Sequence, residues 1–332
     1  LLPDSRFVGI DLAPSQIDAA RADGRDLANL RFEAIDVRDV PADWGAFDYI
    51  ICHGVYSWVP TDARRAILDV CARHLAPNGI AYVSYNALPG WHARGLIRSM
   101  LLRAAGSGDP VDRITRAREF LALAATGSAE NLPLSPWLQS EIAMLGRLSD
   151  RYLYFEHLVP DNDAFHFSDF VADARRAGLD YLTDAEFSST NGAHLPDAGR
   201  LALARTADPI AAQQLLDQLT LRHFRRSLLV RAGTPIASAP IAERVDEMFA
   251  WFRDQEAHEI VIDDDTDVAI DADGSLRVTT DDPIGVLTEW EIANGDRAGE
   301  KVGDLLARLR TSVPGDDVGP RIRNWILARF AE

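Results

Sequence analysis

Arg6-Phe7-Val8-Gly9-Ile10-Asp11, followed by Pro14-Ser15-Gln16-Ile17, decides the fold. The first run is apolar and β-branched and ends in an acid, the pattern of a strand buried on both faces. The proline then opens a helix, with Ile17, Ala20 and Arg21 at helical spacing. The alternation repeats. A second strand runs from Leu30 to Ile35 and ends at Asp36, and a third, Phe47-Asp48-Tyr49-Ile50-Ile51-Cys52, runs into His53-Gly54. A helix from Asp62 to Leu75 closes at the turn Pro77-Asn78-Gly79, and Gly79 to Tyr85 is a fourth strand. Strands separated by helices predict βαβ units and a parallel sheet with helices on both faces. Such a sheet binds ligands outside the carboxyl ends of its strands.

After Met100 the text changes. Leu101 to about Asp150 is helical and rich in Ala, Leu and Arg, broken at Gly106–Pro110 and Leu132–Pro136. Another helix spans Ala164 to Gly178, Leu179 to Leu182 is extended, and Asp208 to Val230 reads as one long amphipathic helix. Thr234 to Pro240 has the composition of a linker. Beyond it, helices at Ile241–Ala257, Ile284–Asn294, Val302–Leu309 and Pro320–Phe330 surround a hairpin of Glu259–Ile262 with Leu276–Thr280 about Asp273-Gly274. The expected organisation is therefore an α/β domain over 1–103, a mostly helical domain over 104–232 and a small α+β, winged-helix-like domain over 240–332.

With 332 residues the chain exceeds what one hydrophobic core usually serves. No stretch has the length of a membrane span, and the first residues carry no secretory-signal pattern. Cys52 and Cys71 are too few for a disulfide framework or a cysteine-rich metal site, so the expected compartment is a reducing cytoplasm. The net charge of −17 repels nucleic-acid backbones and would attract a basic partner, a lysine-bearing surface included, although plain solubility is the simpler explanation.

Asp11, between strand and helix, is placed to accept from both hydroxyls of a ribose, which serves NAD and S-adenosylmethionine alike; an acid near a helix N-terminus is the bland alternative. Asp36 holds the same place one strand later, where a carboxylate could accept from an adenine amino group, with Asp39 as competitor and a turn aspartate as alternative. The loop His53-Gly54-Val55-Tyr56-Ser57-Trp58 sets two aromatics and a histidine over the sheet's carboxyl edge. Aromatic faces suit a sulfonium and an incoming amine, so Tyr56 and Trp58 are candidate pocket walls. His53 could take a proton or make a structural hydrogen bond. At the end of the fourth strand, Tyr85 or Asn86 could aim an oxygen at a substrate amine, whereas Pro89-Gly90 is read as a turn.

These segments, with Tyr154–Leu158, Phe165–Phe170, Ala177–Leu182 and Arg222–Leu229, resemble the bacterial class I methyltransferases that carry a methyltransferase regulatory domain. Rickettsial protein-lysine methyltransferases acting on outer-membrane proteins are the best-known relatives. The resemblance covers about two-thirds of the chain well. It implies a Rossmann-like class I methyltransferase sheet and S-adenosyl-L-methionine as cofactor, held by Asp11, Asp36 and the His53-Gly54 turn, with Leu12 and Val37 beside the two acids as further cofactor-binding candidates. It also implies a protein lysine or other amine as acceptor; Tyr56, Tyr85, Asn86 and His53, read from the residues, are the catalytic candidates, and no metal site is expected. Members of the family precede the Val8–Asp11 strand with a strand and glycine-rich turn. A parallel sheet without that central strand exposes two edges, so a trimmed sequence is the expectation.

Three other functions stay open: a methyltransferase-fold scaffold without turnover, a small-molecule methyltransferase of secondary metabolism and, weakest for want of a hydride-transfer dyad, a nicotinamide dehydrogenase. The oligomeric state is open, a dimer included.

Overall fold

The computed structural model describes residues 2–129 and 133–236, with the backbone of short stretches at 249–250, 267–270, 276–279 and 300–301 and of residues 304 and 307. Two units are distinguished, Leu1–Thr234 and Pro235–Glu332.

The first unit opens with the expected βαβ element. Strand β1 (Phe7–Asp11), helix α1 (Pro14–Asp23) and strand β2 (Leu30–Ala34) form a parallel pair in which Phe7 faces Leu30 and Asp11 faces Ala34. Arg21 of α1 donates to the Phe32 carbonyl through Nε (3.2 Å) and Nη2 (2.7 Å), fastening helix to strand. Next come β3 (Phe47–Cys52), α2 (Thr61–His74) and β4 (Leu75–Ala87), again parallel. Among the described residues β1 pairs only with β2, and β3 only with β4, so these strands fall into two sheets, and β1 and β3 each have one edge without a described partner. Along β3 the alternate residues Tyr49 and Ile51 are 71% and 74% exposed.

The chain then leaves the sheet for α3 (Trp91–Ala105), α4 (Pro110–Gly127), α5 (Ser135–Arg147) and α6 (Asp150–Leu153), which runs into a π-helical turn at Tyr154–Leu158. These helices enclose their own core of Ile97, Leu101, Leu121, Leu145, Leu153 and Leu158. The chain returns as β5 (Ala164–Phe165), α7 (Phe167–Arg176), β6 (Leu179–Asp184), α8 (Asp197–Arg205), α9 (Pro209–Thr220) and β7 (Phe224–Arg231). The larger sheet has the order β3-β4-β7-β6, with β7 antiparallel to both neighbours and β5 pairing the end of β4. Its core joins Leu75, Val83 and Tyr85 of β4 to Ile67 and Leu68 of α2, Phe170 of α7 and Leu229 of β7.

Two expectations are corrected. Residue 103 does not separate a sheet domain from a helical one, because β5, β6 and β7 complete the same sheet as β3 and β4. The long helix over Asp208–Val230 ends at Thr220, where Leu221 adopts a left-handed backbone (φ 49°) and the chain reverses into β7. In β7 Arg225, Ser227 and Leu229 lie on one face of the sheet, the period of a strand rather than of a helix.

In the second unit Asp267–Ile270 pairs antiparallel with Leu276–Thr279, so Asp267–Ile270 stands in place of Glu259–Ile262 as the partner strand, and the expected turn at Asp273-Gly274 lies outside the described residues. Glu259–Ile262, most of the expected helices and the winged-helix outline lie outside the described residues. Among the described residues no helix is long and apolar enough to cross a membrane.

Candidate functional site

Parallel β3 and β4 end side by side, and their exits build one wall of a cavity of about 500 Å³. After β3 the chain turns at Gly54, whose φ of +68° suits glycine. After β4 it turns at Gly90, where any Cβ would strike the Leu221 and Arg222 backbone. The Gly90 amide donates to the Arg222 carbonyl (3.0 Å) and that of Ala87 to His223 (2.9 Å), so the entry to β7 forms a second wall. The helical excursion supplies the third, with Trp91 of α3 and Tyr152 and Glu156 near the π turn.

Alternation along β4 sorts the candidates. Tyr82, Ser84 and Asn86 share one face, and Val83 and Tyr85 the other. On the first face His53 Nδ1 lies 2.9 Å from the Tyr82 hydroxyl and 3.1 Å from Ser84 Oγ, and Ser84 Oγ also accepts from the Gly54 amide (2.8 Å). The His53-Gly54 turn is thereby held at the cavity mouth. Tyr85 is fully buried, stacked on Phe170 at 4.0 Å with its hydroxyl 3.2 Å from Ser227 Oγ. Tyr56 is 1% exposed and meets the edges of Phe165 and Phe170 at 5.3 and 5.4 Å. Neither tyrosine lines the cavity: both expected catalytic hydroxyls belong to the core, because the strand period turns Tyr85 away from Asn86 and the loop folds Tyr56 onto α7.

Asn86 does line it, and its orientation follows from a donor-only neighbour. The indole Nε1 of Trp91 donates to Asn162 Oδ1 (3.1 Å), and Asn162 Nδ2 donates to the Glu156 carbonyl (3.1 Å), which fixes the Asn162 amide. Asn86 must then turn Nδ2 toward Asn162 Oδ1, a long contact of 3.5 Å. That leaves Asn86 Oδ1 buried with no hydrogen-bond partner. Trp58, half-buried, lines the cavity as expected.

At the end of β1, one oxygen of the exposed Asp11 carboxylate accepts from the Ala13 amide (2.7 Å), and its second oxygen makes no hydrogen bond to a described residue. Leu12 beside it is 69% exposed. Both suit a ribose and an apolar ring edge. Asp36 fits its expected role less well. Arg38 occupies both its oxygens (Nε 2.9 Å, Nη2 2.6 Å) and its backbone amide adds a third bond, so the carboxyl is held down at about 2. Val37, half-buried, packs against the sheet core.

The floor is a buried charge cluster. Arg225 forks onto Asp217 (both contacts 2.8 Å) and reaches Asp184 at 2.7 Å, with Arg222 bridging the same two acids at 2.9 and 3.1 Å. Residues that the sequence reading assigned no role, Glu156, Trp91, Tyr82 and Ser84, complete the site. For Tyr82 and Ser84 the signal was available, as the period of two counted back from Asn86; for Glu156 there was none.

Residues 1–79 match the family model for a methyltransferase domain, and residues 149–231 that for a predicted methyltransferase regulatory domain. The chain is 38% identical over 233 residues to the uncharacterized protein RP789 of Rickettsia prowazekii, covering 69% of this chain and 42% of that one. It is 34% identical over 178 residues to RP028 of the same organism, covering 52% of this chain and 71% of the relative. The structure of PKMT2 from Rickettsia typhi in complex with AdoHcy superposes with a TM-score of 0.79 at 24% identity, over 99% of this chain and 66% of that one, a likeness of fold. The chain thus spans under half of the first relative and about two-thirds of the PKMT2 chain. By both domain matches and by its similarity to RP028, the chain belongs to the class I methyltransferases that carry a methyltransferase regulatory domain.

Proposed function

We propose that the protein is an S-adenosylmethionine-dependent N-methyltransferase whose acceptor is a protein lysine. The observation that carries this reading is Asn86 Oδ1, a buried acceptor without a partner in an aromatic-lined cavity at the carboxyl edge of the parallel strands. An uncharged carbonyl can orient an amine N–H without holding the nitrogen protonated.

S-adenosylmethionine, when bound, supplies a methyl group activated on a sulfonium. Asp11 would accept from the ribose hydroxyls, with Leu12 alongside and the His53-Gly54 turn at the cavity mouth. Trp58 and Trp91 exclude water from the cavity and offer ring faces to cationic groups. Asn86 would orient the acceptor nitrogen, whose lone pair becomes available for methylation once its ammonium proton has passed to solvent. Tyr56 and Tyr85 act only as packing. The net charge of −17 supports a basic protein surface as partner. The winged-helix-like reading of residues 240–332 belongs to the same proposal, as a protein-interaction or packing unit.

Calorimetric titration of S-adenosylmethionine and its demethylated product, followed by transfer of labelled methyl to protein and metabolite fractions, tests this reading. Micromolar cofactor binding with label on protein lysines is expected. Label confined to metabolites would point to a small-molecule enzyme, and binding without transfer to a scaffold.

A further inference from the structure

Three carboxylates line the cavity, and two are already neutralised. Asp184 accepts from Arg222, Arg225 and the Ser227 hydroxyl, and Glu186 pairs with Arg226 at 3.2 Å. The third, Glu156, forms no hydrogen bond or ion pair through its carboxylate with any described residue.

The charges around it are committed elsewhere. Arg98 donates to the carbonyls of His157 (2.7 Å), Val159 (2.6 Å) and Pro160 (3.0 Å), fixing the chain that follows Glu156. Arg94 leans toward Glu141 at 3.9 Å and lies over the Trp91 ring at 5.9 Å. Glu156 also sits in the π-helical turn, where one extra residue per turn re-aims side chains, a feature frequent at functional sites. Its backbone carbonyl anchors Asn162, which orients Asn86, so the carboxylate-bearing residue and the free amide oxygen belong to one hydrogen-bonded frame. Burial raises the Glu156 carboxyl above its ordinary range, and the charges of Arg94 and Arg98, engaged with other partners, offset this only in part.

We propose that the Glu156 carboxylate receives the ammonium of the acceptor side chain, so that the cavity selects cationic alkylamines of the lysine class over neutral side chains of the same length. This deepens, and rests on, the amine-methyltransferase reading above. Trp58, Trp91 and Tyr152 would flank the methylene stem, Glu156 would gather the cation, and Asn86 would take an N–H once the proton is lost.

The test titrates Nα-acetyl-lysine amide and its uncharged counterpart, Nα-acetyl-norleucine amide, into the full chain and into Glu156→Gln by saturation-transfer NMR. The wild type should prefer the lysine amide, and Glu156→Gln should weaken that ligand about 10–100-fold, the usual loss for a charge-assisted hydrogen bond, with norleucine binding, cofactor affinity and Tm unchanged. Equal binding of the two amides by the wild type overturns the inference without recourse to any variant. So does a Glu156→Gln protein that binds lysine as well as the wild type. The labelled-methyl assay separates the two proposals. Unimpaired transfer to lysine by Glu156→Gln, at unchanged KM, removes Glu156 and leaves the enzyme reading standing. Glu156-dependent lysine binding without any transfer removes the enzyme reading and leaves the amine site.

Discussion

Replacing Arg225 by methionine should cost the first unit about 3–5 kcal/mol, the usual loss when one partner leaves a buried ion pair. Arg225 and Asp217 are fully buried and Asp184 is 3% exposed. Arg222 and Arg225 balance Asp184 and Asp217, so the cluster is neutral as built. Arg225 alone supplies three of the charge-assisted bonds, two to Asp217 and one to Asp184, and its guanidinium lies 3.9 Å over the Phe167 ring. Without it two buried carboxylates face one arginine, and the uncompensated charge dominates the loss. The neighbouring Arg226 is the control, because its pair with Glu186 leaves the two side chains 48% and 62% exposed and should contribute no more than about 1 kcal/mol. In urea followed by circular dichroism, Arg225→Met should lower the midpoint by roughly 1–2 M for an m-value of about 2–3 kcal/mol/M. Arg226→Met should barely move it. Arg225→Lys, which keeps the charge but not the fork, should fall between them. Equal, small shifts for Arg225→Met and Arg226→Met would mean that the cluster does not fasten β7 to β6 and α9.

Tyr85→Phe removes one 3.2 Å hydrogen bond from the core and should cost about 1 kcal/mol while leaving methyl transfer intact; lost transfer at unchanged cofactor affinity would return the hydroxyl to the site. Asp11→Ala should weaken S-adenosylmethionine binding about 10–100-fold by calorimetry, and wild-type affinity would take Asp11 out of the cofactor site. Burial, helped by Arg98 and Arg94, lowers the His157 imidazole from 6.5 to about 4. The unfolded chain therefore takes up the proton first: stability is full above pH 6.5 and falls as the pH drops toward 4, by up to roughly 3 kcal/mol. A His157→Gln protein should lack that component, and identical acid profiles for the two proteins would refute it. A fragment ending at residue 103 leaves the β4 edge from Ala81 to Asn86 without its β7 partner and should aggregate, whereas residues 1–234 should unfold cooperatively; cooperative unfolding of the short fragment would sink this.

What could be read from the sequence was local. Leu30–Ala34, Phe47–Cys52 and Thr61–His74 lie within a residue or so of their expected positions, because each is a run whose own periodicity and flanking turn residues decide its state. Phe224–Arg231 reads as helix for the opposite reason. Its leucines continue the spacing of α9, and the break is made by a single left-handed leucine, a conformation no leucine announces. Tyr85 and Asn86 are both candidates by their place at a strand end, and the period of two sends the neighbours to opposite faces of β4. Glu156 was out of reach, since nothing in Tyr154–Leu158 marks an acid that another part of the chain will enclose.

The same topology explains why the helical excursion cannot be a detachable regulator. It leaves from the end of β4, and the chain comes back through β5, which pairs Asn86 and Ala87 at that same strand end. The ends of the excursion therefore meet at the carboxyl edge, where a parallel sheet binds its ligands. Arg98, on its first helix, grips the carbonyls just beyond its last turn, so the two ends are also fastened to each other. A cavity made this way takes its chemistry from both sources: Asn86 and His53 come from the ends of the parallel strands, and Glu156 and Trp91 from the helical excursion. Acceptor choice is accordingly best sought in Glu156 and Trp91, and cofactor binding in Asp11 and the Gly54 turn.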